Sequence, residues 1–265
     1  MKLPWTAVWL VAMVSTVAVA DNFEYYSEFR YMSGLPGGGY GVSQDGRVGF
    51  DGAMQMNIPV GYTPGVRQYA LMASTSATSG GIPTGINDDD ANSTLALGFG
   101  TTIQGHALWI ADMVVDSGWE DAINLQFQLM PERENRPAIS VGITDLTNEF
   151  YSLYSQSNIH DSRSFFVAAT RQFGDDEHPF WGTVGFGNRR FNDHPFAGLS
   201  YQASPRVKVM AEYDGWNVNA GAAYGINGGW DEGKWHSVFL VGLTDLDQVT
   251  LSLGLTYSGS LVGRE

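Results

Sequence analysis

Val249-Thr250-Leu251-Ser252-Leu253-Gly254-Leu255-Thr256-Tyr257 carries a large apolar side chain at every odd position and Thr, Ser or Gly at every even one. Successive side chains of a strand point to opposite faces, so this stretch reads as a β-strand with one greasy face and one small polar face. The same period recurs along the chain. Ile123, Leu125, Phe127 and Leu129 alternate with Asn124, Gln126 and Gln128, and Ile139, Val141 and Ile143 alternate with Ser140, Gly142 and Thr144. Leu95, Leu97 and Phe99 alternate with Ala96, Gly98 and Gly100, and Val218, Ala220, Ala222 and Tyr224 with Asn217, Asn219, Gly221 and Ala223.

Two all-β architectures use this pattern, and the second face separates them. A soluble sandwich puts Lys, Glu and Asp there, whereas an outer-membrane barrel turns its apolar face to lipid and lines its lumen with small polar residues. Here the second face is mostly Gly, Ser, Thr, Asn and Gln, so the pattern predicts a single antiparallel transmembrane β-barrel. Composition agrees. The chain has 33 Gly in 265 residues, 13% aromatic and only 16% charged residues, which excludes disorder and coiled coil. A formal net charge of -14 with no segregated basic patch excludes nucleic acid as a partner. Zero Cys excludes thiolate metal sites, disulfides and cysteine nucleophiles.

Candidate strands fall at 47–58, 66–77, 94–103, 106–115, 122–131, 136–145, 163–172, 179–189, 195–203, 206–214, 217–227, 234–244 and 247–257. Closed bacterial barrels have even strand counts, so the expectation is about 12 strands, with 14 if Phe23 to Met32 adds another. Lys2, an apolar run from Trp5 to Val17 and Ala18-Val19-Ala20 read as a cleaved signal peptide over 1–20, with export to a bacterial outer membrane. An N-terminal arm follows over 21–46, inserted in the lumen or left in the periplasm, then the barrel over 47–258 and a tail over 259–265. Connections at Gln104 to His106, Ala203 to Arg206 and Thr244 to Gln248 are tight, and those at Thr78 to Ser93, Leu146 to Ser162 and Ile226 to Gly233 are long. Short turns are expected at the periplasmic end and long loops outside. Val141-Gly142-Ile143-Thr144-Asp145-Leu146 is echoed by Val241-Gly242-Leu243-Thr244-Asp245-Leu246, which predicts two strands ending alike.

The stretch from Ala138 to Tyr224, about a third of the chain, resembles a known family. Ala138 to Leu146, Phe166 to Gly174, Thr183 to Asn188 and Phe196 to Tyr201, followed by Val209-Met210-Ala211-Glu212-Tyr213-Asp214-Gly215 and Asn217 to Tyr224, are similar to strands of the YjbH-like outer-membrane lipoprotein barrels associated with exopolysaccharide production. The resemblance implies polysaccharide or export-machinery proteins as partners, besides outer-membrane lipid and lipopolysaccharide, and supplies no enzyme. The chain departs from that family in having no lipobox cysteine and in reading as one barrel unit, and from the usual outer-membrane pattern in that its last residue is Glu265 and not an aromatic.

Strand parity places Lys208, Glu212 and Asp214 opposite Val207, Val209, Ala211 and Tyr213, hence in the lumen, and Asp51, Arg189, Asn217, Asn219 and His236 join them. Charges facing lipid at mid-bilayer would cost ~2–4 kcal/mol for Lys or Arg, which compels the inward placement. Either these groups line a polar path for a sugar or ion, or they form a salt-bridged plug that stiffens the barrel. His106, His160, His178, His194 and His236 show no pairing with a Ser nucleophile, so no catalytic residue, cofactor or metal is expected; beside the passive exopolysaccharide-export reading stand a structural or general-diffusion barrel and, behind it, an outer-membrane lipid hydrolase. The acidic runs Asp88 to Asp90 and Asp175 to Glu177 lack the spacing of a calcium loop and read as solvated loops. Trp109, Trp119, Trp181, Trp216, Trp230, Trp235 and Tyr257 read as an interfacial belt, with sugar stacking equally open for Trp216 and Trp230.

Overall fold

The computed structural model describes residues 34–77, 91–115, 120–149, 161–175, 178–226 and 234–259. The signal segment, most of the C-terminal tail, the run Asp88 to Asp90, Asp176 and Glu177, His160, Trp119 and Trp230 lie outside the described residues. Two short strands come first, β1 (Gly41–Val42) and β2 (Val48–Gly49), paired as a small hairpin. Twelve strands follow: β3 (Gln68–Ala77), β4 (Ala91–Ile103), β5 (His106–Val115), β6 (Glu120–Met130), β7 (Ala138–Thr144), β8 (Ser164–Phe173), β9 (Phe180–Gly187), β10 (His194–Ser204), β11 (Val207–Tyr213), β12 (Val218–Ile226), β13 (Trp235–Thr244) and β14 (Gln248–Ser258). Each pairs antiparallel with its sequence neighbours, and β14 closes the ring on β3. The architecture is thus an all-β closed barrel of 12 antiparallel strands.

The alternation seen in the sequence is the alternation of the wall. Leu71, Leu95, Leu97, Phe99, Phe165, Phe186, Leu199, Val241 and Leu253 are exposed on the outside, while Met72, Ala96, Ala168, Ser200, Leu240 and Ser252 between or beside them are buried within. Exposed apolar side chains around a whole circumference are what hydrocarbon solvates and water does not. Ring closure also leaves no strand edge with unpaired N–H and C=O groups, the condition a sheet must meet inside a bilayer.

Three expectations are corrected. The candidate strand 47–58 does not enter the wall, which begins at Gln68; residues 34–66 instead fold inside the barrel. Met54, Met56 and Ile58 alternate as a strand does, but they are packed by protein on all sides. The simple sorting of loop lengths also fails. Neighbour-to-neighbour topology puts the tight turn between β13 and β14 at the same end as the long connections 78–90 and 145–163. The long connection between β12 and β13 lies at the other end, with the tight turns at 104–105 and 205–206 and with both chain ends of the wall. Finally, Trp109 and Trp181 point inward and are buried, and Trp216 is buried in a turn with its indole N–H donated to the Arg190 carbonyl at 2.9 Å. An exterior aromatic cluster does form at the end holding the wall's termini, where Tyr257 packs on Trp235 (ring centroids 4.6 Å apart) and on Tyr69 (6.2 Å).

The echoed motifs have a common geometry. Asp145 and Asp245 both leave their strands with positive φ (54° and 58°), and each donates its backbone N–H to an Asn side chain on the preceding strand, Asn124 at 2.9 Å and Asn219 at 2.8 Å. β7 and β13 stand six positions apart in the ring of 12, so the two caps face each other across the barrel.

Leu97, 60% exposed, tests the lipid-facing assignment. Leu97→Arg is expected to lower folding stability in phospholipid vesicles by ~2–4 kcal/mol, read from denaturant titration of the refolded barrel. An unchanged stability would place this wall outside hydrocarbon.

Candidate functional site

The bore is occupied by the chain's own residues 34–66. Leu35, Tyr40, Val42, Ala53, Met54, Ile58 and Val60 are fully buried there, packed against Trp109, Met113, Phe166, Phe196 and Leu240 of the wall and Phe191 of the turn before β10. The arm folds back on itself: Val42 and Ala53 exchange backbone hydrogen bonds at 3.0 and 2.9 Å, Gln55 N donates to Gly37 O at 2.9 Å and Val60 N to Pro36 O at 3.1 Å. A void of about 10 Å³ beside Gly38, Gly39, Met56 and Leu240 is at the lower limit for one water, so the filling at this level is tight. A larger concavity of about 460 Å³ lies outside, lined by Val209, Ala220, Val241, Leu243 and Val249 of the lipid-facing surface, and is no part of the bore.

Peptide groups left over by the arm's own pairing are met by polar side chains of the wall. Lys208 is fully buried and donates from Nζ to the carbonyls of Phe50 (2.7 Å) and Gly52, with its ammonium 4.4 Å from the centroid of the Trp181 ring. Glu212, also buried, takes the backbone N–H groups of Met56 (2.9 Å) and Asn57 (2.7 Å), one on each carboxylate oxygen. Gln126 Nε2 donates to the carbonyls of Val60 (2.9 Å) and Tyr62 (3.0 Å). Gln128 donates to Gly61 O at 2.9 Å and accepts from Thr63 N at 2.8 Å, while Thr170 Oγ1 accepts from Gly61 N at 2.7 Å and Ser200 Oγ from Met54 N at 3.3 Å.

The residues expected in the lumen separate into three groups. Lys208, Glu212 and Asn219 are on inward faces and buried, and His236 lies inward against Gly49, where a Cβ would stand 3.3 Å from the imidazole. Asp214 and Asn217 belong to the turn after β11: the Asp214 carboxylate accepts from Trp216 N (3.0 Å), Asn217 N (2.9 Å) and Asn219 Nδ2 (2.9 Å). Asp51 and Arg189 are corrections. Asp51 is an exposed residue of the arm, between the two carbonyls that Lys208 binds. Arg189 sits in a one-turn helix, Arg189–Phe191, because β9 ends at Gly187 and parity stops applying there; its guanidinium binds Asp161 at 3.3 Å. Arg163 hydrogen-bonds the same carboxylate and holds Asp161 below the usual carboxylate pKa. The adjacent Arg190 is the buried one, donating to Asn57 O at 3.4 Å.

The charges do not form the expected salt-bridged plug. Lys208 and Glu212 are four residues apart on β11, a rise of roughly 13 Å along the strand, and each is satisfied by arm peptide groups. The ion pairs Arg47–Asp45 and Arg163–Asp161 lie at exposed side chains, away from Lys208 and Glu212. Sequence parity identified the inward charges but had no means to identify their partners. Gln126, Gln128, Thr170 and Ser200 were legible only as lumen lining. On the arm, the Tyr62 hydroxyl bonds Glu132, and burial followed by this contact pushes its pKa well up.

The fold and its filled bore define a transmembrane β-barrel plugged by an intramolecular segment. No protein-family model matches the chain, and no curated protein matches it significantly in sequence. Solved structures similar to it are outer-membrane barrels at low identity. The KdgM porin is 10% identical with a TM-score of 0.45, covering 72% of this chain and 99% of its own. An outer-membrane channel of Pseudomonas putida F1 is 10% identical with a TM-score of 0.43, covering 73% of this chain and 96% of its own. Outer membrane phospholipase A from Escherichia coli is 7% identical with a TM-score of 0.42, covering 72% and 90%.

Removing the Lys208 ammonium strands two buried carbonyls at about 1–3 kcal/mol each. The tip of the arm, where the Arg47 side chain is 71% exposed, is a trypsin site that reports its opening. Lys208→Met is expected to speed cleavage after Arg47 by ~10-fold or more while the barrel stays heat-modifiable on gels. Unchanged cleavage would mean that the clamp does not hold the arm.

Proposed function

We propose that the protein is an outer-membrane barrel of the diffusion-channel kind, held shut at rest by its own N-terminal arm. One observation carries this: the bore is filled by a separate stretch of chain docked on a wall that meets it with both apolar and hydrogen-bonding side chains. Small closed barrels fill their interiors with wall side chains. Here the wall inside presents Ser74, Ser76, Thr94, Ser140, Thr170, Thr183 and Ser252, short hydrogen-bonding residues, among larger ones such as Trp109 and Phe166, and together they leave room for a conduit once the arm is out. The apolar exterior and the exterior aromatic cluster support the membrane setting. Lipid and lipopolysaccharide are then the outer partners, and the lumen acts passively, through exchangeable hydrogen bonds to a small solute.

A second reading, support of exopolysaccharide production, is favoured by the likeness of residues 138–224 to the YjbH-like barrels. It needs the same opened bore and adds glycan as the solute.

Gly52 sets up the test. Its φ is +100° and a Cβ would stand 2.2 Å from the Val42 carbonyl oxygen, so Gly52→Val disturbs the fold of the arm and leaves every wall residue intact. In planar bilayers the unaltered protein is expected to be almost silent and Gly52→Val to conduct steadily. An acidic oligosaccharide that blocks this current supports the glycan reading. A heat-modifiable Gly52→Val barrel that passes no current overturns the channel and leaves a structural barrel.

A further inference from the structure

The arm crosses the bore three times. The wall begins and finishes at one end, the near end, where Gln68 opens β3 and Ser258 closes β14, while the connections 78–90 and 145–163 mark the far end. Gly34 lies just inside the far rim: a Cβ on it would stand 2.7 Å from Asn124 Nδ2, and Asn124 Oδ1 caps Asp145 where β7 ends. The arm's tip reaches the near end, where Val48 N donates to Gln68 Oε1 at 3.0 Å and Gly65 N to Gly46 O at 2.9 Å. Met56 and Asn57 are back at the far end, held by Glu212, one residue before β11 finishes, and by Arg190 of the helix between β9 and β10. Tyr62 then bonds Glu132 in the near-end connection 131–137, and the chain enters β3.

An even number of wall strands returns a chain to the end it started from, so β3 opens and β14 closes at the near end. Three crossings are odd, and they set Gly34 at the other end. The chain ahead of Gly34 has no way back through the bore: from Asn124 to Met130 the β6 wall runs on for roughly 20 Å, and that length is packed with the arm, down to a void of about 10 Å³ beside Gly38. The geometry points to a barrel that carries its own N-terminal segment through the membrane, so that the chain ahead of Gly34 leaves at the far end, opposite Ser258. The far end holds the connections 78–90 and 145–163, and long connections face outward in such barrels. The protein therefore displays this segment at the cell surface. Display needs no opening of the bore, so it stands apart from the channel reading. It also bears on how the bore would open, because an arm fixed to β3 at one end and continued beyond the rim at the other is not expelled whole from either side.

The chain has no cysteine, so a single introduced thiol reports its own side of the membrane. The full chain is expressed in a bacterial outer membrane with Ser27→Cys, with Glu24→Cys as a second position ahead of Gly34. Ser155→Cys in the connection 145–163 marks the far end and Asn135→Cys in the connection 131–137 the near end. Each is treated with a polymer-linked maleimide too large to enter the periplasm, and heat-modifiability confirms that each barrel is folded. On intact cells Ser27→Cys, Glu24→Cys and Ser155→Cys are expected to show the polymer's mass shift on gels, and Asn135→Cys to show it only after the outer membrane is breached. Ser27 and Glu24 variants that react only on breaching, while Ser155→Cys reacts on intact cells, put the segment on the side of Ser258 and overturn the proposal. Variants that react only once the barrel is denatured overturn it as well, because the segment is then held inside. If Ser27 and Ser155 react together but from the periplasmic side, the crossing stands and display at the cell surface is overturned.

Discussion

A peptide group buried away from water must find a hydrogen-bond partner, and a chain segment inside a closed barrel finds few along its own length. This constraint governs the interior. Residues 34–66 pair with themselves only in part, through β1 and β2 and the exchanges between Val42 and Ala53. Many of the remaining N–H and C=O groups fall to the wall, which explains why a buried lysine and a buried glutamate face the lumen with peptide groups of the arm as their hydrogen-bond partners. Charges taken out of water are costly unless hydrogen bonds replace the water they lose. Two carbonyl dipoles on the ammonium and two amide dipoles on the carboxylate replace the water each has lost, and each charge strengthens the bonds it makes.

The same constraint decides which parts of the structure the sequence discloses. The exterior is set by lipid, which demands large apolar groups at every second position, so the twelve wall strands stand out in the sequence with boundaries within about three residues of those observed. Inside, the demand is local and three-dimensional. Met54, Met56 and Ile58 satisfy packing on all sides, and nothing in one dimension separates that from a strand with one lipid face. Arg189 and Arg190 show the limit on a finer scale: once the backbone leaves β9 at Gly187, the period of two ends and the buried arginine is the neighbour. The inward placement of Lys208, Glu212 and Asn219 was readable because they sit within strands, and their partners were not, because those lie about 150 residues or more away along the chain in the clamps of Lys208 and Glu212.

The repeated Thr-Asp-Leu endings show how a strand is stopped at the rim. A residue with positive φ turns the chain off the sheet, and its N–H then points where no strand continues. Asn124 and Asn219, each one strand back, supply the missing acceptor. The sequence echo therefore marks a solved hydrogen-bonding problem, met twice on opposite walls of the ring. In one of the two, Asp145 continues the cap: its carboxylate binds Ser162 and, at 3.1 Å, the N–H of Glu149, which ties the start of the long connection to its end. Asp245 begins a turn of only three residues and has no such span to hold.

Glycine content, anomalous at first reading, follows from the filled bore. A Cβ on Gly100 would stand 1.9 Å from the Gly65 carbonyl oxygen, one on Gly254 2.7 Å from that of Gly39, and one on Gly198 2.6 Å from the Gln55 side chain. At the first two contacts glycine faces glycine, one on the wall and one on the arm. Side-chain hydrogen bonds reach the arm from Gln, Glu and Lys only if the rest of the wall lets the backbone come close, and glycine is what permits that approach. An empty porin-like bore would place no such demand on its lining. The glycine excess at these contacts and the buried clamps are thus consequences of one arrangement, a stretch of polypeptide held close within a polypeptide wall.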